Sequence, residues 1–355
     1  MYDIAIVGAG PAGATLARLL APRYTILLVD RRRLDKPPGG RSKCCGGLVA
    51  PDAQKVIAEL GLGLPRHVLS GPQLFVVRTI DLKRKQERFY QRFYINIHRE
   101  LFDRWLFSLV PPQVDTLTGA SVCRLSASPK CHSLTIRQGN YTYTRACRVL
   151  VGADGAGSLV RRLFFPGSRP PTRYIAIQET LQADKVLPYF TALFHSDYTD
   201  FYAWTIPKQQ HLLFGAALRP GTHASACFAA LKGELPAWGI NTGKLISRKG
   251  GLLLRPGRLN QLCLGSDNVA LVGEAAGWIS PSSAEGFSYA MRSARALANS
   301  LLKGTDGFQK RYRRNTRSLR LNIRFKLAKS LAMYRPPARG IILRSGLGSV
   351  RVAPE

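Results

Sequence analysis

The chain has 355 residues, 45% of them hydrophobic, enough to bury a sizeable core and build two domains. Its seven cysteines (Cys44, Cys45, Cys123, Cys131, Cys147, Cys227 and Cys263) are odd in number and show no C-x-x-C spacing; with six scattered histidines they argue against a disulfide framework or a metal site and for a reducing, cytoplasmic compartment. The formal net charge of +31 is extreme, and after Leu301 there are 14 Lys and Arg against only Asp306 and Glu355, a balance that fits an anionic surface or plain solubility.

The first element is a β-branched run from Tyr2 to Val7. It is followed by Gly8-Ala9-Gly10-Pro11-Ala12-Gly13, a helical stretch to Leu20, and a second strand ending at Asp30. Strand, G-x-G-x-x-G, helix, strand and acid, in that order, make a dinucleotide-binding unit. Gly8 permits the tight turn, Gly10 lets a pyrophosphate approach the backbone, and Gly13 lets helix and strand pack closely. The helix that Pro11 and Ala12 open offers N–H groups and partial positive charge to phosphates. Asp30 stands where a carboxylate accepts hydrogen bonds from an adenosine ribose. The apolar stretch from Ile4 to Leu20 is broken by the glycine turn and Arg18 and lacks a basic leader, so it is not read as a signal or membrane helix. No other apolar run approaches the about 18 residues of a membrane span.

Farther on, Arg88-Phe89-Tyr90-Gln91-Arg92-Phe93-Tyr94 mixes basic and aromatic residues, but its alternation fits a half-buried strand, and no nucleic-acid motif accompanies it. A helix follows from Leu101 to Leu109. Residues 119–151 read as several strands, with turns around Ser128-Pro129-Lys130 and Gly139-Asn140. Residues 148–158 run from an apolar strand into the Asp154-Gly155 turn, and residues 268–277 repeat that grammar through Gly273-Glu274. An acid at the C-terminal end of a parallel strand faces the ligand crevice of such a sheet. Ser280-Pro281-Ser282-Ser283-Ala284-Glu285-Gly286 then leads into an Ala-rich helix.

These three segments, in this order, resemble the flavoprotein monooxygenase and reductase superfamily related to para-hydroxybenzoate hydroxylase. The resemblance implies FAD: the first segment binds ADP, the Asp-Gly turn borders the dinucleotide, and the last holds ribitol and flavin ring. It therefore implies that Asp154, Gly155, Gly273, Glu274 and Gly286 line the cofactor, with Val122 beside them and Arg99 near the flavin phosphates. Where the superfamily usually has Asp, this chain has Glu274. The expected fold is α/β, a Rossmann-like FAD-binding domain of residues 1–72, 96–171 and 262–303. An inserted antiparallel β-sheet substrate domain takes residues 73–95 and 172–261, and a basic C-terminal helical segment takes 304–355, broken at Pro336-Pro337.

Two further motifs, Lys43-Cys44-Cys45-Gly46-Gly47-Leu48 and Tyr202-Ala203-Trp204-Thr205-Ile206-Pro207-Lys208, resemble the geranylgeranyl reductase family of flavoproteins. Cys44 replaces the loop proline of that family and Ile206 a phenylalanine. Over nearly the whole length the chain resembles the bacterial CbrA-type flavoproteins within it. The resemblance implies reduction of C=C bonds in an isoprenoid or other apolar substrate. Cys45, Gly46 and Gly47 would lie near the flavin, Cys45 would carry the proton for the second alkene carbon, and Tyr202, Trp204 and Pro207 would line the pocket. A thiol ordinarily carries its proton at neutral pH, whereas a disulfide between adjacent cysteines demands a strained ring. The electron donor would be NAD(P)H, ferredoxin or another reduced protein. The same Tyr-x-Trp-x-Ile-Pro segment resembles the Trp-x-Trp-x-Ile-Pro of flavin-dependent halogenases. A halogenase or aromatic monooxygenase is thus the rival, and a non-catalytic FAD-containing membrane-associated binding or resistance protein the alternative of another class. The expected partners are an apolar or lipid substrate and the anionic inner face of the cytoplasmic membrane, with no nucleic acid.

Overall fold

The computed structural model describes residues 1–38, 43–128, 131–183 and 187–352. The chain divides into two compact units, each built from three stretches of sequence: 1–41, 100–172 and 254–327 in the first, 42–99, 173–253 and 328–355 in the second.

The first unit has a parallel sheet at its centre. Strand Tyr2–Val7 pairs with Ile26–Asp30 on one side, Ile4 opposite Ile26, and with the end of Tyr141–Gly152 on the other, Ile4 opposite Val149. Asp115–Thr118 and Val269–Leu271 extend it in parallel at either side. Parallel strands covered on both faces are apolar throughout rather than alternating, and all five residues of Ile26–Asp30 are buried. Helix Pro11–Leu20 packs with helix Phe287–Leu301 over one face through Leu16, Leu20, Ala294 and Leu297. Strands Ala120–Ala127, His132–Gln138 and Tyr141–Gly152 form an antiparallel meander, the last two joined by the two-residue turn Gly139-Asn140. In the other expected turn, Pro129 and Lys130 lie outside the described residues.

The second unit is a larger sheet in the order Leu245–Arg255, Thr172–Gln182, His211–Leu218, Ala203–Lys208, Phe190–Phe194, Leu74–Asp81, Gln86–Asn96 and Ser349–Val350. It is not wholly antiparallel: Phe190–Phe194 runs parallel to Leu74–Asp81, with Phe190 opposite Val77. That one parallel pairing joins the two inserted segments. Helix Ala224–Gly233 covers the sheet through Phe228 and Leu231, which pack with Ile80 and Phe214.

Two sequence boundaries shift. The inserted unit begins before residue 73, because Leu48–Val49 pairs with the end of Gln86–Asn96. Residues 304–355 are not a separate appendage. Phe308, Tyr312, Leu319 and Ile323 are buried in the first unit, and Tyr312 Oη donates to Leu271 O at 2.9 Å. Residues 328–352 belong to the second unit, where buried Arg339 meets buried Asp81 at 2.8 Å and Ser349–Val350 pairs with Tyr90 and Phe89. No helix among the described residues is long and apolar enough to cross a membrane.

Candidate functional site

The glycine turn of the first unit has the shape its chemistry requires. Gly8 has φ +103°, and a side chain there would meet Ala153 O at 2.5 Å. One at Gly13 would meet Gly8 O at 1.8 Å. Gly10 differs: the nearest atom to a side chain there is Arg32 Nη2, 3.9 Å away. Two glycines thus close the turn and the third leaves a hollow. Helix Pro11–Leu20 starts at that hollow with no side-chain cap, so its first-turn N–H groups, Ala12 and Gly13 among them, have no partner within the helix.

Asp30 accepts hydrogen bonds from its own chain. Its Oδ2 accepts from Ala9 N–H at 2.7 Å and Arg32 Nη2 at 3.0 Å; its Oδ1 accepts from Arg32 N–H at 2.8 Å and Arg32 Nε at 3.0 Å. A carboxylate offers about four lone-pair sites, and here the protein fills them. Arg32 Nη1 also reaches buried Asp103, at 2.5 Å. Arg32, held between two carboxylates, is therefore fixed beside Gly10.

The other expected cofactor residues converge on the same turn in part. Gly273, at φ +58°, would bring a side chain to 3.0 Å from Ala12 Cβ, and its N–H donates to Ser293 Oγ at 2.9 Å. Asp154 Oδ2 accepts from Leu159 N–H at 2.6 Å, whereas Asp154 Oδ1 is buried with no hydrogen-bond partner among the described residues. Burial pushes this carboxyl above the usual range despite those donors. Gly155 follows at φ +75° with open space around it. Glu274 differs from expectation in direction: its Oε1 accepts from Leu254 N–H at 3.1 Å. Gly286 precedes helix Phe287–Leu301, and the carboxylate capping that helix is Glu285, which accepts from Ser288 N–H at 2.7 Å. Arg99 opens helix Arg99–Ser108, which the ring of Phe102 fixes on Phe287 at 4.9 Å. Val122 lies at the bulge of strand Ala120–Ala127. The hollow at Gly10, the uncapped helix and the orphaned Asp154 Oδ1 fit a dinucleotide with a phosphate and hydroxyl donors. Among the described residues no His, Cys, Asp and Glu group could hold a metal ion.

In the second unit the Cys-Gly-Gly loop and the aromatic strand meet. A side chain at Gly46 would lie 2.2 Å from Ile206 Cδ1, and one at Gly47, φ +65°, 2.3 Å from Ile97 O. Cys45 Sγ accepts from Gly47 N–H at 3.5 Å. Cys44 turns to other partners, its thiol donating to Ala176 O at 3.6 Å, and burial pushes that thiol up to about 12. Both are free thiols. The Tyr202 and Trp204 rings are 5.5 Å apart and buried with Pro207. The indole lies over Gly215, where a side chain would come within 2.4 Å of it, and Trp204 Nε1 has no hydrogen-bond partner among the described residues. Residues the sequence did not single out tie this site together: Lys208 and Asn96. A lysine ending a buried strand, six residues after Tyr202, was the available signal.

No family model matches the chain. It is similar to the protein CbrA of Escherichia coli O6:H1 (strain CFT073), 39% identical over 98% of this chain and 94% of that protein. It is equally similar to CbrA of Shigella sonnei (strain Ss046), 39% identical over 98% of each. Its fold is that of a geranylgeranyl bacteriochlorophyll reductase-like protein from Thermoplasma acidophilum, with TM-score 0.81, 17% identity and coverage of 96% and 89% of the two chains. The flavin-dependent halogenase CmlS shares it with TM-score 0.71, 16% identity and coverage of 92% and 63%.

Proposed function

The chain belongs to the CbrA family, in the superfamily of FAD-dependent oxidoreductases that includes geranylgeranyl reductase-like proteins, and from that premise we propose that it binds FAD and reduces C=C bonds of an isoprenoid or other apolar substrate. The observation that carries the cofactor is the hollow at Gly10 beside an uncapped helix start, with the partnerless Asp154 Oδ1. Bound and reduced, FAD supplies the hydride. Gly8, Gly10 and Gly13 admit the pyrophosphate, and Pro11 and Ala12 begin the helix that faces it. Arg32 adds positive charge there, and Asp154 accepts a hydroxyl donor.

In the second unit, Tyr202, Trp204 and Pro207 exclude water and hold an apolar chain, each buried methylene adding about 0.8 kcal/mol. Cys45 holds at Sγ the proton that the second alkene carbon takes. Electrons come from NAD(P)H or a reduced protein such as ferredoxin. The halogenase alternative needs a lysine with an available ammonium in its substrate pocket. Lys208, which ends the aromatic strand, does not offer one, because its Nζ donates to three protein oxygens.

The reading also proposes an anionic bilayer as the place of action. Residues 308–327 hold eight Lys and Arg and no acid, with Leu321 51% and Phe325 67% exposed one turn apart.

The test begins with colour: purified protein is yellow and releases FAD on denaturation. Reduced anaerobically with dithionite and given geranylgeranyl diphosphate as a probe, it yields product heavier by one H2 per double bond saturated. Protein that takes up no FAD defeats the whole reading. Oxygen-dependent hydroxylation or halogenation of an aromatic compound, without alkene reduction, would transfer the reading to the rivals.

A further inference from the structure

Strand Ala203–Lys208 ends on an ammonium enclosed by neutral oxygens from two other segments. Lys208 is only 9% exposed. Its Nζ donates to Ile97 O at 2.7 Å, to Gly47 O at 3.2 Å and to Asn96 Oδ1. No carboxylate is among its partners in the described residues. The acceptors are themselves fixed. Gly47 O also accepts from Ile97 N–H at 2.9 Å. Asn96 is 0% exposed, and its Nδ2 donates to Pro72 O at 2.9 Å and Pro207 O at 2.8 Å. Reversing that amide would set its oxygen against two carbonyls, so Oδ1 faces the lysine.

Three acceptors need three donors. An ammonium has three N–H groups; the neutral amine has two, and its lone pair would oppose the third oxygen. The arrangement is therefore complete only while the lysine is charged. The titratable groups around it are Cys45 on the loop, His98 beyond the strand end, and His211, paired with Lys208 across the hairpin.

We propose that Lys208 is a positioning residue whose three N–H groups clasp the Cys45-Gly46-Gly47 loop to the Asn96–Ile97 strand end. Burial pushes the ammonium down to about 7, against a smaller upward pull from Cys45. Burial, and then Lys208, lowers His98 as well. Loosening the loop returns the lysine to water and its ordinary value of about 10.4, so the open form binds more protons above neutrality and the closed loop gains stability as pH rises from about 7. This rests on the reductase reading only for its purpose, since the loop it fixes carries Cys45.

Its test reads the loop itself, with or without flavin. Hydrogen exchange of the amides at 47–49 and at Ile97, corrected for intrinsic rate, is compared at about pH 6 in wild type, Lys208→Met and Lys208→Arg. Lys208→Met leaves three oxygens without their donor, so protection falls roughly tenfold or more. Lys208→Arg keeps charged donors at the end of the side chain and restores protection, an outcome that mere packing would not give. Should Lys208→Met fail to fold, Lys208→Gln, with two donors in place of three, takes its place with the same expected loss. Wild-type protection in Lys208→Met, or no recovery in Lys208→Arg, overturns the proposal. Absence of FAD would sink the functional reading and leave this measurement intact.

Discussion

Gly10 and Arg32 face one another across a hollow, and each carries its own prediction. Gly10→Val fills the space left for a phosphate, since Arg32 Nη2 is the atom found within 4 Å of a β-carbon there among the described residues. Folded but colourless protein is expected; a Gly10→Val variant that keeps its flavin would contradict the cradle. Arg32→Met removes the guanidinium that pairs with buried Asp30 and breaks its bond to Asp103. Stranding a buried charge in this way costs about 3–5 kcal/mol, so the urea midpoint should fall sharply. An unchanged midpoint would show that Arg32 contributes nothing to the fold. The glycines were legible because each answers a local steric demand of the turn. The partner of Asp30 was not: Arg32 is only two residues away, but Asp103, which helps hold it, is 71 residues from Arg32 and reaches it only through the fold. The methylene by which Glu274 exceeds Asp lets the carboxylate reach the Leu254 backbone instead.

Among the elements, the aromatic strand depends on a neighbour without a side chain. The Trp204 indole occupies the space over Gly215 on the adjacent strand. Gly215→Ala forces the ring away, and overpacking of this kind costs about 1–3 kcal/mol. A lower melting temperature with altered tryptophan fluorescence is expected, and wild-type values for both would mean that the ring has room to spare. The alternation of Tyr202 and Trp204 made this strand readable, whereas Gly215 could not be matched to Trp204 without the register. The opposite failure occurs near the C-terminus. Phe308, Tyr312, Thr316, Leu319, Ile323 and Leu327 recur at spacings of three and four, the stripe of a helix packed on a core, and the first five are buried. The surrounding basic residues drew attention to charge and hid a stripe that the sequence displays. The parallel pairing of Phe190–Phe194 with Leu74–Asp81 had no such local signal, because it joins segments more than a hundred residues apart.

For the molecule as a whole, the +31 charge must be tested on exposed residues, because removing residues after 303 would also strip Phe308 and Tyr312 from the core. The triple change Arg313→Glu, Arg314→Glu and Arg317→Glu alters exposed positions only. Each basic residue near an anionic surface is worth about 1 kcal/mol, so sedimentation with phosphatidylserine vesicles at low salt should drop strongly while flavin is retained. Equal sedimentation would return the charge to a role in solubility. Composition made the charge obvious but not its distribution, which depends on which helix faces are buried. The pairing of Ser349–Val350 with Phe89 and Tyr90, and of Arg339 with Asp81, has a consequence for biosynthesis. A strand holding Phe89 and Tyr90 waits for a partner that is synthesised more than 250 residues later. Such long-range closure is slow, and incomplete sheets expose unpaired edges. The second unit therefore cannot finish its sheet until Ser349 and Val350 have left the ribosome, and the nascent sheet needs shelter until that strand arrives.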